Sequence, residues 1–149
     1  MEWDELTELY GQVIIERAQD TQWFHPLEGS VKQTVVNPTC GDAFTVAVAR
    51  RDNRITGAAI TAGDGCMIAR AAAAVVCELV DCQPVEAAQA RLRAFTALVT
   101  HKRALTAEEQ DQLGDGMAFT GVARFPVRVK CALLACEGVQ QIIDSNSSR

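Results

Sequence analysis

None of the six cysteines in this 149-residue chain stands in a Cys-x-x-Cys pair. The short spacing that usually announces a zinc site is missing, so a metal role has to be argued from where each cysteine falls along the chain. Aromatic residues are also scarce, at 5%, and the core must rest on Ala, Val, Leu and Ile. Basic charge is in deficit, with a formal net charge of -5. That excludes a sequence-independent nucleic-acid binder, which needs a basic surface, and no basic patch interleaved with aromatics offsets it. Long apolar runs are absent. The longest, around Ala71 to Val76, falls far short of the roughly 20 residues a membrane-spanning helix needs. The acidic start Met1-Glu2-Trp3-Asp4-Glu5 is unlike the basic opening of a signal peptide, so a cytoplasmic protein is expected. Internal repeats and low-complexity segments are lacking too.

What is present reads as globular: 48% hydrophobic and 22% charged residues, in a chain long enough for one sizeable core. One domain over residues 1–144 is expected, with 145–149 as a disordered tail. Glu2 to Ala18 reads as an amphipathic helix, with Trp3, Leu6, Tyr10, Val13 and Ile14 on one face. Residues 19–29 form a loop carrying His25-Pro26. Ser30 to Val36 reads as a strand, and Ala43 to Arg50 alternates, with Phe44, Val46 and Val48 pointing one way. A polar turn at 51–54 returns the chain through Ile55 to Thr61, and Gly63-Asp64-Gly65 breaks that strand. Helices follow from Cys66 to about Leu79 and from Pro84, as a first helical residue, through Val99. Thr106-Ala107-Glu108-Glu109 fits a capping box for a short helix ending near Gly114. Phe125 to Lys130 reads as a short extended run containing Pro126, and Cys131 is expected to open the last helix. The predicted architecture is α+β, a small antiparallel three-stranded sheet covered by helices.

The chemistry concentrates at Asn37-Pro38-Thr39-Cys40-Gly41-Asp42. At the start of a strand, Cys40 and Asp42 would share a face, because side chains alternate with period two. Cys66 and Cys131 both fall at predicted helix N-termini, where unpaired N–H groups and the positive end of the helix favour a thiolate. Three thiolates and a carboxylate suit zinc. The other cysteines fail geometric tests. Cys77 lies about three helical turns, roughly 16 Å, beyond Cys66, and Cys136 points about 140° away from Cys131. Cys82 sits in a turn without a partner nearby. Cys77 and Cys136 read as small core residues. The four ligands would carry about -4, leaving about -2 around a divalent cation. Arg128 and Lys130 could reduce that or hold an anionic sulfur species; each reads equally as a solvated surface cation. On spacing alone C-x-D is a weak motif, and cysteines at helix starts are often merely packed.

Three stretches taken together are more specific. Asn37 to Asp42, then Asp64-Gly65-Cys66, then Ala123-Arg124-Phe125-Pro126-Val127-Arg128-Val129-Lys130-Cys131 resemble, in order, the cysteine motifs of the IscU/NifU-type iron–sulfur scaffold family. Leu9-Tyr10-Gly11-Gln12-Val13-Ile14 and His25-Pro26 are similar to that family's N-terminus. Within it the chain resembles the SufU branch: Lys130 stands where IscU-type members have a histidine ligand, and Ala104 to Gly121 is similar to the branch's insertion. Neither His25 nor His101 is at that ligand position. The segment after Cys66, Met67-Ile68-Ala69-Arg70, departs from the family's serine-rich sequence.

The resemblance implies zinc held by Cys40, Asp42, Cys66 and Cys131, and a sulfurtransferase-like role. The chain would accept persulfide sulfur from a SufS-type cysteine desulfurase and work with other iron–sulfur assembly proteins. In SufU-like proteins a ligand exchange with the desulfurase frees the thiolate matching Cys40. That makes Cys40 the expected acceptor, with Cys131 the alternative, since IscU-like proteins usually use the last cysteine. Two other functions remain open: a scaffold assembling and handing on a [2Fe–2S] cluster, and an interaction protein with a structural zinc.

Overall fold

Two consecutive hairpins build the sheet. In the computed structural model, which describes residues 3–146 and side chains from Tyr10 to Ser145, β1 (Ser30–Val36), β2 (Ala43–Arg51) and β3 (Arg54–Asp64) pair antiparallel in that order. The register runs from Ser30 opposite Ala49 to Val36 opposite Ala43, and from Arg51 opposite Arg54 to Ala43 opposite Asp64. The alternation in β2 holds as expected: Phe44, Val46 and Val48 are buried on one face. β3 runs past the expected break, because Gly63 and Asp64 still pair with Phe44 and Ala43. That extension delivers the chain directly to Cys66.

Five α-helices accompany the sheet among the described residues, α1 (Trp3–Ala18), α2 (Met67–Val80), α3 (Val85–Thr100), α4 (Ala107–Leu113) and α5 (Pro126–Asn146), and of these α2 and α5 pack directly against the strands. The α1 face expected through Trp3 and Leu6 lies outside the described side chains, as does Glu2; Ile14 packs on the core. α2 is buried along most of its length, from Ala69 to Val80, and its alanines let neighbouring elements approach closely. Pro84 stands one position outside α3 rather than in its first turn, since the Val85 N–H donates to the Asn53 carbonyl of the β2–β3 turn (2.8 Å). α3 ends where His101 takes a left-handed conformation (φ 53°). The capping box at Thr106 forms as expected: Glu109 N–H donates to Thr106 Oγ1 (3.1 Å) and Thr106 N–H to Glu109 Oε1 (3.0 Å).

A 3-10 helical segment, Gly114–Arg124, follows α4 and buries Phe119 edge-on against Phe95 of α3, with ring centroids 5.5 Å apart. The stretch read as an insertion therefore contributes to the core. Ser145 and Asn146, expected in the tail, complete α5, and 147–149 lie outside the described residues.

The larger departure is the start of α5. Phe125 to Lys130 was expected as an extended run, yet Pro126 begins the helix. Proline is compatible with a first helical turn, where its missing N–H would have no intrahelical acceptor. Cys131 consequently lies in the second turn, not at the helix start. α5 then crosses the sheet so closely at Gly138 that a Cβ there would stand 2.6 Å from Val46 Cγ2. This crossing fixes the height at which Cys131 meets the β1–β2 loop.

Candidate metal centre

The six residues between β1 and β2 form a closed loop rather than the start of a strand. Asn37 N–H donates to the Asp42 carbonyl (2.8 Å), Gly41 N–H donates to the Asn37 carbonyl (2.8 Å), and Gly41 adopts φ 78°. Cys40 and Asp42 both precede β2, so turn geometry and not strand alternation brings them to one side. Cys40 is exposed on this loop, whereas Asp42 is buried at 7% exposure.

α5 supplies the third group. Cys131 is 1% exposed, and its Sγ lies 3.6 Å from Cys40 Sγ. Cys40, Asp42 and Cys131 each offer a ligand atom, all within 4.8 Å of one another. Cys66 borders this group without belonging to it at that distance. As expected it stands at a helix start, the N-cap of α2, where its Sγ accepts from Ala69 N–H (3.5 Å). Its own N–H donates to Asp42 Oδ1 (3.1 Å), which ties the second cysteine motif to the first.

Electrostatics differ across the group. Burial pushes the Asp42 carboxyl up, but the thiols of Cys40, Cys66 and Cys131 and the Cys66 N–H outweigh it and hold the group below its ordinary value. Oδ2 is nonetheless buried with no partner at hydrogen-bond geometry, so the thiols act on the carboxyl only as a loose polar surround. A buried carboxylate oxygen without a donor is costly in a finished structure and is what a cation ligand looks like before its cation. Thiols and a carboxylate match the sulfur and oxygen donors zinc accepts. The residues fit the metal. Cys131 departs from expectation here too: burial, then the Cys40 and Cys66 thiols beside it, push its thiol up rather than down. Its place in the second turn removes the helix-end effect that would have favoured the thiolate.

Other candidates take other places. Arg128 and Lys130 are exposed on the first turns of α5, and among the described residues neither side chain forms an ion pair. Cys77 and Cys136 are buried away from the site, the latter against Thr96 Oγ1 (3.6 Å) and the Leu92 carbonyl, and burial pushes the Cys136 thiol up to about 12. Cys82 is exposed between α2 and α3. His25 Nδ1 donates to the Pro26 carbonyl (2.7 Å) and His101 Nε2 to the Thr120 carbonyl (2.6 Å), so both serve local structure. The residue that sequence reasoning passed over is Asn37, 3% exposed, whose Nδ2 reaches Cys131 Sγ (3.7 Å). Its signal was available: Asn-Pro-Thr after a strand is a turn in which the asparagine side chain bonds a backbone N–H two residues on.

A family model described as the NifU-like N terminal domain matches residues 9–132, which include all four expected ligands. The chain belongs to the NifU-like N-terminal domain family. Two relatives in this iron–sulfur cluster assembly scaffold family span nearly the whole chain. The zinc-dependent sulfurtransferase SufU of Bacillus subtilis (strain 168) is 29% identical over 136 residues, covering 91% of this chain and 90% of the relative. The iron-sulfur cluster assembly scaffold protein IscU of Streptococcus pyogenes serotype M1 is 28% identical over 148 residues, covering 99% and 91%. Solved structures similar to this NifU-like domain include FiSufU from Fervidobacterium islandicum AW-1 (TM-score 0.81, 20% identity, covering 91% and 97%). The N-terminal part of a NifU-like protein from Brucella abortus is similar as well (TM-score 0.80, 21% identity, covering 95% and 96%). At those identities the likeness carries the fold, and it matches the three-stranded sheet and helices described above.

Proposed function

We propose that this NifU-like domain accepts sulfane sulfur at Cys40 from the persulfide of a SufS-type cysteine desulfurase and passes it into iron–sulfur assembly. Zinc would be held by Cys40, Asp42, Cys66 and Cys131. One observation carries the reading: of the two cysteines that meet with Asp42, Cys40 is exposed on a loop and Cys131 is enclosed. A donor cysteine on another protein can reach the first sulfur without disturbing the second. The relative named a zinc-dependent sulfurtransferase supports the choice of metal and reaction. Lys130, where a histidine ligand would otherwise stand, supports it too.

When bound, zinc would keep its cysteine ligands deprotonated at neutral pH. The remaining work falls to the chain. Asp42 supplies anionic charge from a position fixed by the Cys66 N–H. The Cys40 thiolate attacks the outer sulfur of the donor's persulfide. The new S–S bond forms at Cys40 as the donor's S–S bond breaks, the donor leaves as its thiolate, and the proton stays on the transferred sulfur. No net oxidation or reduction occurs. Arg128 and Lys130, cationic and exposed on the helix that carries Cys131, would meet an anionic sulfur group or an acidic partner surface.

Metal analysis of the purified protein, beside mass spectrometry after reaction with desulfurase and cysteine, tests the proposal. About one zinc per chain and a gain of one sulfur on Cys40 are expected, with loss of desulfurase stimulation in Cys40→Ala. Intact stimulation in that variant would show that Cys40 is not the acceptor. The relative named an assembly scaffold favours a second reading, in which a [2Fe–2S] cluster is cargo on the same cysteines. A coloured cluster that moves intact to an apo-protein would favour that reading instead.

A further inference from the structure

The buried polar residues among those described are Asn37 and Asp42, and both belong to the β1–β2 loop. Asp42 is accounted for as a ligand. Asn37 uses three of its polar groups within the loop: its N–H donates to the Asp42 carbonyl, its carbonyl accepts from Gly41 N–H, and its Oδ1 accepts from Thr39 N–H (3.1 Å). Those bonds close the loop and leave Cys40 outward. The fourth group, the Nδ2 amide, contributes nothing to the turn. It reaches across 94 positions to Cys131 Sγ.

The three site sulfurs are therefore not equivalent. Cys66 Sγ accepts from Ala69 N–H and Cys131 Sγ accepts from Asn37 Nδ2, while Cys40 Sγ, beside the Cys131 sulfur and the Asp42 carboxylate, accepts from no N–H among the described residues. An N–H donated to a thiolate draws charge from the sulfur, which weakens it as a nucleophile and fixes it as a ligand. We infer that Asn37 is a positioning residue that selects the acceptor: its side-chain amide retains Cys131 and leaves Cys40 as the sulfur that reacts. This rests on the sulfur-transfer reading above and deepens it.

Asn37→Asp and Asn37→Ser test the inference. Each keeps a side-chain oxygen for Thr39 N–H and removes the N–H donor to sulfur, one with added charge and one without. The zinc protein is reacted with desulfurase and cysteine, and the added sulfur is assigned to Cys40 or Cys131 on peptides by mass spectrometry. In both variants the Cys131:Cys40 ratio rises about fivefold, the effect of one ordinary hydrogen bond. The sulfur-to-metal charge-transfer band of the cobalt-substituted protein also moves to lower energy, a change that altered stability alone would not produce. Sulfur on Cys40 at an unchanged ratio in both folded variants, with the band unmoved, overturns the inference and leaves the sulfur-transfer reading standing. No sulfur on any cysteine of the unsubstituted protein overturns both. Cys40→Ala covers the case in which neither Asn37 variant folds. There Cys131 keeps its donor and loads at least about tenfold more slowly than Cys40 does in the unsubstituted protein, and equal loading overturns the inference.

Discussion

Gly138→Ala adds one methyl where α5 crosses β2, and its cost can be worked from the contact. The new Cβ would stand 2.6 Å from Val46 Cγ2 and 3.3 Å from Val35 Cγ1, where ordinary contact begins near 3.4 Å. Val46 is fully buried and stiff at χ1, so the helix has to move away by most of an ångström. Overpacking of this kind costs about 1–3 kcal/mol. Alanine returns about 1 kcal/mol through its higher helix propensity. The net is a loss of about 1 kcal/mol, or about 2–4 °C in Tm for a chain of this length. Gly138 lies two helical turns beyond Cys131 on the same face, so the displacement also spreads the cysteines. On the zinc-site proposal above, affinity for zinc, read by competition with a chromophoric chelator, falls with stability. Val46→Ala makes room for the methyl, and the double variant is more stable than the two single losses predict, by about 1–3 kcal/mol. A rise in Tm for Gly138→Ala alone, as at an exposed helical glycine, or an absence of coupling in the cycle, would refute the close-crossing argument.

Two further outcomes follow from groups outside the site. Iodoacetamide on the native protein modifies exposed Cys82 and spares Cys77 and Cys136, whose thiols are buried and pushed up in pKa; peptide mapping before and after urea checks this, and native labelling of Cys136 would contradict its placement. The bonds from Arg103 and the Thr106 N–H hold Glu109 down at about 2, against 4.5 unperturbed, so its contribution is complete above pH 4.5 and disappears as the pH falls toward 2. Glu109→Gln therefore melts below the unsubstituted protein at neutral pH, and the two curves converge across that acid window. A difference that stays constant with pH would mean that the carboxylate charge plays no part in the cap.

The sheet and most helices were legible because burial imposes a period. Phe44, Val46 and Val48 read as one face of a strand, and Tyr10, Val13 and Ile14 as one face of a helix, whatever the rest of the chain does. The capping box was legible because it is local. What escaped depends on context. Pro126 reads as a helix breaker unless it is known to be in a first turn, and the β-branched Val127 and Val129 reinforce the extended reading. Phe119 carries no periodic signal because it lies in a 3-10 segment, and only its packing on Phe95 shows why the segment is ordered. At the site, the residue types Cys40, Asp42, Cys66 and Cys131 stood out from sequence. Their route to one another did not, since a left-handed Gly41 and a helix crossing at Gly138 do that work. Asn37 stayed hidden among its more reactive neighbours.

The two sulfurs that sit 3.6 Å apart belong to parts of the molecule with different clocks. Cys40 rides on a six-residue hairpin tip whose closing bonds lie within the loop, and segments of that kind rearrange on nanosecond to microsecond timescales. Cys131 is set in a helix wedged against the sheet and α2, and its amide exchanges with solvent only when that packing opens. On the sulfur-transfer proposal, a donor protein would draw the first sulfur outward at the pace of a loop while the second holds station. In hydrogen-exchange terms, the Cys40 amide would exchange ahead of the Thr39 and Gly41 amides, which are bonded to Asn37, and the turn of α5 around Cys131 would report the stability of the core.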